Sequence, residues 1–284
     1  MNIAASDAME FVANLGNELS RGELELPSFP DVAERTRRAL DDPDCSSKTL
    51  SLVIGADAAL AARVIRMANS AAYNPTGSSI ADLRAAIGRL GQETIRTTAV
   101  AHAVRQLSGA TELKALREPL SKLWKHSVQV AAISHVLAKR HSYLNADEAL
   151  LAGLVHDIGK LYILKCAAAR PKLFENPTVL DELVQEWHTG VGRAIVEAWG
   201  FSEAVTNATD EHEVYSHCPK DGPDLTCIVL VANLLAKREM NELESVDFDQ
   251  IPAFRRLGLG GEKSKEILSE SAAEIRSIVD ALKG

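Results

Sequence analysis

His156 and Asp157 stand side by side in LLAGLVHDIGKLYIL, an apolar stretch where an imidazole and a carboxylate are each costly to bury unless paired, hydrogen-bonded or metal-bound. Adjacent His and Asp residues at a helix end can turn a nitrogen and an oxygen toward one divalent ion such as iron, manganese or zinc. One ion needs more ligands than these, and with 8 His and 39 Asp plus Glu in the chain a single HD pair could arise by chance. His126 is accompanied by Leu123, Val130, Ile133 and Leu137 at helical spacing, so its ring is expected to face the interior. His135 falls on the opposite side and is expected to be solvated. His188 shares a helical face with Val191, Ile195 and Trp199, and Gly192 one turn later leaves space beside the ring. His212 lies in the polar segment TDEHEVYSH, close to Glu211, Glu213 and His217. A lone histidine of this kind is ordinarily a core or helix-end ring satisfied by one carbonyl. The set His126, His156, Asp157, His188 and His212, all on or just beyond helices with apolar faces, changes that reading. Convergence of those helices in one bundle would bring the side chains into a common pocket.

Those helices must come from a chain whose periodicity is helical nearly throughout and which shows no alternating strand pattern bounded by hairpin turns. The spacing predicts an all-α protein with helices over 7–20, 30–41, 47–55, 57–69, 80–90, 92–107, 119–141, 146–156, 158–168, 178–199, 202–212, 224–239 and 263–282. Pro30 and Pro119 suit first helical turns, while Gly91 and Gly200 suit helix ends through left-handed backbone angles. A break near 108–118 separates an N-terminal helical part from the part that holds every candidate ligand. The glycine-rich run around Gly258, Gly260 and Gly261 lacks the GK[ST] order of a phosphate loop and follows no strand, so it reads as a helix entry.

The order of one His, then HD, then further His residues resembles the HD-domain superfamily of metal-dependent phosphohydrolases. In that superfamily a final Asp on a late helix completes the first metal site; here the matching position, in TCIVLVANLLAKRE, is Asn233. The N-terminal half is similar to the HDOD domain. It carries that domain's Leu-Pro-x-x-Pro start at Leu26 to Pro30 and its Asp-x-x-Leu helix at Asp57 to Leu60. The Asn-Ser-Ala segment follows at Asn69 to Ala71, and the Ala-Ile-x-x-Leu-Gly helix at Ala86 to Gly91. The resemblance implies a multi-helix HDOD bundle over residues 24–240, comprising an N-terminal helical part (24–110) and an HD-like part (111–240). A helix within 1–23 and a helical tail over 241–284 lie outside it.

Two functions are implied. As an enzyme, the chain would use metal to generate a hydroxide nucleophile and neutralise a phosphoester. His126, His156 and Asp157 would hold one ion and His188 and His212 a second, with Asp157 bridging and Lys160 contacting phosphate. As a regulator, the chain would keep the fold and a degenerate metal site but act through a signalling protein partner. Asn233 favours regulation, because a neutral amide oxygen holds a divalent cation less firmly than a carboxylate and tunes bound water differently. No Gly-Tyr-Pro follows the last His cluster, a departure from the cyclic-di-GMP phosphodiesterase branch.

Bulk properties fit a compact protein: 46% hydrophobic residues over 284 positions suffice for a substantial core. The net charge of −8 disfavours a general nucleic-acid or anionic-membrane binder. Arg35, Arg37 and Arg38, followed at once by Asp41 and Asp42, read as a solvated helix face. Cys45, Cys166, Cys218 and Cys227 form no CxxC pair, so reduced thiols in a cytoplasmic protein are expected. No apolar run approaches the length of a membrane span, the first twenty residues do not read as a secretion signal, and no sensor domain is expected ahead of residue 24. Any input is therefore expected to arrive through another protein, a small ligand or the short termini.

Overall fold

The computed structural model describes residues 10–11, 13–18, 21, 31–109, 114–141, 143–170, 173, 176–240 and 246–283. The expected first helix lies only partly within these residues, and the Leu26 to Pro30 segment lies outside them. No strand occurs among the described residues. The N-terminal half contains α1 (Asp31–Asp41), α2 (Ser47–Gly55), α3 (Ala58–Ala68) and the long α4 (Leu83–Gly109). Then come α5 (Lys114–Ala138), α6 (Ala146–Val155), α7 (Ile158–Ala167), α8 (Pro177–Ala198), α9 (Glu203–Glu211) and α10 (Leu225–Glu239). A 3-10 turn at Phe248–Gln250 leads into α11 (Pro252–Arg256), α12 (Gly261–Glu270) and α13 (Ala272–Lys283).

Short polar side chains start many of these helices by taking orphan backbone N–H groups. Ser46 accepts from Thr49 N, Asn145 from Asp147 N and Glu148 N, and Ser202 from Val205 N. Asp57, from the Asp-x-x-Leu motif, caps α3 by accepting from Ala59 N and Leu60 N. Asn69 closes the loop after α3, its amide donating to Ile80 O at 2.7 Å and accepting from Ile80 N at 2.8 Å. These two motif residues therefore set local structure. The arginines of α1 are held by acidic residues of their own helix, as in Arg38 to Glu34 at 2.8 Å and Arg35 to Asp31 at 3.0 Å.

Helices α6 and α10 are the centre of the molecule. Every residue from Ala149 to Val155 and from Leu225 to Ala236 is buried, the pattern of helices covered on all sides. The crossing of α5 and α6 is tight: a Cβ on Gly153 would come within 2.7 Å of Ser134 Oγ and 2.9 Å of Ala131 Cα. Helix α13 packs on both α3 and α5, so the tail is part of the core, with Ile278 and Leu282 fully buried. Arg63 of α3 donates to the Leu282 carbonyl, and Ala71 N donates to Ser277 Oγ at 2.7 Å.

Several sequence expectations are corrected. His135 is buried rather than solvated: its Nδ1 lies 3.1 Å from the Ala146 carbonyl and its ring packs against Tyr73, with α13 covering the side that would otherwise meet water. Pro119 is inside α5, which begins at Lys114 because good helix formers precede the proline. The expected helix over 263–282 is two helices meeting at Ser271, preceded by the unforeseen α11. Gly91 (φ 74°) and Gly200 (φ 72°) take the expected left-handed angles, and at Gly91 (ψ 174°) the backbone leaves the helical region, so α4 is two helices meeting at a kink, as the spacing predicts. No helix among the described residues is long and apolar enough to cross a membrane.

Candidate metal centre

The HD pair occupies the junction between α6 and α7. His156 ends α6 with helical angles, and Asp157 sits at the N-cap of α7 but makes no side-chain cap hydrogen bond. An N-cap Asp that forgoes its cap has its carboxylate free for other work, while the adjacent helix N-terminus favours the negative charge. Asp157 turns into a pocket made by α5, α8, α9 and α10. Its position is enforced by Gly159, where any Cβ would collide with the His188 carbonyl, so α7 is pressed directly onto α8.

Around this carboxylate the structure gathers the sequence-predicted residues. His156 Nε2 lies 3.3 Å from Asp157 Oδ2, and His126 Nε2 lies 3.8 Å from the same oxygen. His188 Nε2 and His212 Nε2 lie 3.6 and 3.4 Å from Asp157 Oδ1, and 3.4 Å from each other. Asn233 on α10 reaches the group from the far side, its Oδ1 3.0 Å from His126 Nε2. Two potential ligand sets result, His126, His156, Asp157 and Asp157, His188, His212, sharing Asp157.

Backbone contacts fix the ring tautomers. His156 Nδ1 donates to Gly153 O at 2.8 Å, His188 Nδ1 to Gln185 O at 2.9 Å, and His212 Nδ1 to Thr209 O at 2.8 Å. A carbonyl accepts only from a protonated nitrogen, so in their neutral form His156 and His188 turn their Nε2 lone pairs toward Asp157. Burial holds His156 and His188 at about 4 despite the pull of Asp157, so both are neutral near pH 7. Burial would raise Asp157, but the neighbouring His156 and the Lys160 ammonium outweigh it and hold the carboxyl well below its ordinary range. Lone pairs thus face an anion, and His156 Nε2 is buried without a hydrogen-bond partner, while the only cation beside Asp157 Oδ1 among the described residues is the Lys160 ammonium at 3.0 Å. An orphaned acceptor such as His156 Nε2 normally demands a donor or a cation. The set of imidazole nitrogens and one carboxylate therefore fits a divalent transition metal.

His126 differs from the other rings. Its Nε2 faces the Asn233 amide oxygen and therefore carries the proton, while its Nδ1 is buried and unpartnered. Lys160 is mostly buried and donates to Asp157 Oδ2 at 3.1 Å. It stands 3.0 Å from Oδ1 as well, without a hydrogen bond of acceptable angle to that oxygen. Two further residues complete the surroundings. Glu213 lies 3.8 Å from His188 Nε2, 3.9 Å from Lys160 Nζ and 3.0 Å from Lys237 Nζ. Burial pushes its carboxyl up, but Lys237 and Lys160 prevail and hold it at about 2. Sequence reading assigned neither Glu213 nor Lys237 to the site. The available signal was adjacency of Glu213 to His212 and the i, i+4 spacing of Lys237 from Asn233. A cavity of about 820 Å³ opens onto the cluster and is lined by His126, Asp157, Lys122, Lys160 and Lys237, with Leu180 among the apolar members.

The fold and the buried His–Asp cluster define an all-helical, HD-like protein. Residues 26–215 match the HDOD domain, and the chain belongs to the HDOD family. A protein from Shewanella amazonensis SB2B, provisionally named a metal-dependent phosphohydrolase, superposes with a TM-score of 0.81 at 29% identity, covering 98% of this chain and 99% of that one. An HDOD protein of unknown function from Geobacter sulfurreducens gives 0.67 at 26% identity over 95% and 97% of the two chains. An uncharacterised protein of Treponema pallidum (strain Nichols) is 22% identical over 242 residues, which are 80% of this chain; the chain spans 45% of that protein's length.

Proposed function

We propose that this chain is a signal-transduction protein of the HDOD family whose His–Asp cluster binds a divalent transition metal, iron, manganese or zinc, and which acts through a protein partner rather than by turning over a phosphoester. The observation that carries this reading is the contact of Asn233 Oδ1 with His126 Nε2 at 3.0 Å. A neutral amide stands where the HD pattern has a carboxylate, and it keeps the proton on the His126 nitrogen nearest Asp157. Asp157 is then the sole anion within the two ligand sets, and Lys160 already neutralises much of its charge. A cation held mainly by neutral imidazoles is bound less firmly, and the charge balance that sets the acidity of a bound water is altered.

Hydrolysis is the second reading. It is favoured by the cavity in which Lys122, Lys160 and Lys237 stand beside Asp157, a setting suited to a phosphate group, and by the name given to the Shewanella relative. On that reading a metal at the cluster supplies the acidified water, Asp157 and the histidines hold it, and Lys160 steadies the phosphate.

One set of measurements separates the two. Protein purified without chelator and reconstituted with iron, manganese or zinc is expected to contain metal by elemental analysis, and His156→Ala to lose it. Hydrolysis of cyclic dinucleotides, nucleotides and generic phosphoesters is expected to stay below the roughly 1 to 1,000 per second typical of enzymes. Metal-dependent turnover within that range, abolished by Asp157→Ala, would make hydrolysis the function. A wild-type protein that remains metal-free after reconstitution would reduce the cluster to a polar core.

A further inference from the structure

A second group of unlike donors lies outside the cluster just described, at the opposite end of α10 from Lys237. Asp224 is the N-cap of α10, its Oδ1 accepting from Cys227 N at 2.9 Å, and this turn sets the Cys227 thiol beside the Asp224 carboxylate. His217, from the loop between α9 and α10, brings its Nε2 to 3.0 and 2.9 Å from the two Asp224 oxygens. One nitrogen, one carboxylate oxygen and one sulfur, from His217, Asp224 and Cys227, all lie within 4.8 Å of one another. Donors bound to a tetrahedral zinc at about 2.0 to 2.3 Å are separated by roughly 3.3 to 3.8 Å, so small side-chain adjustments close this set around an ion.

A further observation points the same way. Glu211 Oε2 lies 3.1 Å from His217 Nδ1, on the ring side away from Asp224. A carboxylate on the outer nitrogen of an imidazole is the common arrangement behind metal-bound histidines, because it fixes the ring and turns the other lone pair toward the ion. Cys218, adjacent to His217, is exposed and lies outside this donor set, its Sγ accepting from Arg256 Nη2 at 3.7 Å.

We propose that His217, Asp224 and Cys227 form a second, sulfur-containing site for a zinc-like divalent cation, with Glu211 positioning His217. The site pins the α9–α10 loop to the start of the helix that carries Asn233 and Lys237. It is independent of the function proposed above, since the other cluster contains no sulfur.

That difference gives a clean probe. The apo full-length protein is titrated with cobalt(II), and thiolate-to-cobalt charge-transfer absorption is followed in the near ultraviolet. The absorption is expected in the wild type, to disappear on adding zinc, to persist in His156→Ala and to be lost in Cys227→Ser. Because Cys227 is buried, His217→Gln in the loop provides a variant that leaves the core intact. It is expected to weaken cobalt binding at least about tenfold. The alternative is an imidazolium lying between Glu211 and Asp224. It predicts no charge-transfer absorption, and that result in folded wild-type protein overturns the proposal. So does absorption that survives Cys227→Ser or is unchanged in affinity in His217→Gln.

Discussion

Replacing Asn233 by Asp changes one amide to a carboxylate at the position where the cluster departs from the HD pattern. Its effect should reverse sign with metal. Asn233 Oδ1 and Asp157 Oδ2 both face His126 Nε2, at 3.0 and 3.8 Å, so the two oxygens are at most about 7 Å apart. Two unit charges at that distance repel by about 2 kcal/mol at an effective dielectric constant of 20. In chelator near pH 8 the Asn233→Asp protein should therefore be less stable than wild type by about that much, roughly 5 °C in melting temperature for a chain of this size. Lower pH should shrink the deficit, because a carboxylate 3.0 Å from His126 favours its protonation. With bound metal the added anion becomes a ligand, and affinity should rise about 10- to 100-fold, which is about 1.4 to 2.7 kcal/mol. The assay is a pair of thermal melts with and without manganese, iron or zinc, together with a metal titration. If neither the apo melt nor the metal-induced shift changes, Asn233 does not share an ion with Asp157, and the electrostatic reading of this pocket fails.

Acid should destabilise the metal-free protein. His156 and His188 are held at about 4 when folded against about 6.5 when unfolded, so their contribution is fully present above pH 6.5 and is lost as pH falls toward 4. The loss is on the order of 3 kcal/mol per ring, and denaturant melts in chelator that are flat between pH 7 and 5 would contradict it. Gly159→Ala should cost about 1 to 3 kcal/mol by forcing α7 off the His188 carbonyl, and should reduce metal uptake in parallel; a neutral effect in urea unfolding would show that the helix contact is slack. Glu211→Gln should weaken cobalt binding at the sulfur-containing site about 10- to 100-fold, and an unchanged titration would remove Glu211 from that site.

The sequence made the helical class legible because apolar spacing of 3.6 persists through most segments, and α6 and α10 are apolar enough to read as central. His126, His156 and His188 stand out because each is an imidazole in an otherwise apolar helical setting, which is rare, whereas His212, in a polar segment, joins them only by lying just beyond a helix. What escaped is what depends on contacts between distant segments. His135 reads as outward when only its own helix is considered. It is buried because α13, over a hundred residues away in sequence, lies across it. Gly159 looks like any small residue until α8 is placed against it. Glu213 and Lys237 read as ordinary surface charges, and only the meeting of α9 and α10 turns them into a pair at the cavity. The His217 cluster escaped for a similar reason: its donors flank a loop, where no periodicity marks an inward face.

Helix α5 carries His126 toward the buried cluster and, thirteen positions later, leads into Lys139, whose ammonium lies 2.6 Å from Glu274 of α13. At 1.5 Å per residue this is a rod of about 20 Å joining two places that share no ligand. A tilt of about 3° at the His126 end moves the other end by about 1 Å, enough to break a hydrogen bond of ordinary length. Because α13 also receives the Arg63 guanidinium of α3 on the Leu282 carbonyl, such a movement would bear on α3 as well. Helix α13 thus touches both the helix that carries His126 and α3, so a displacement starting at either would bear on the same surface.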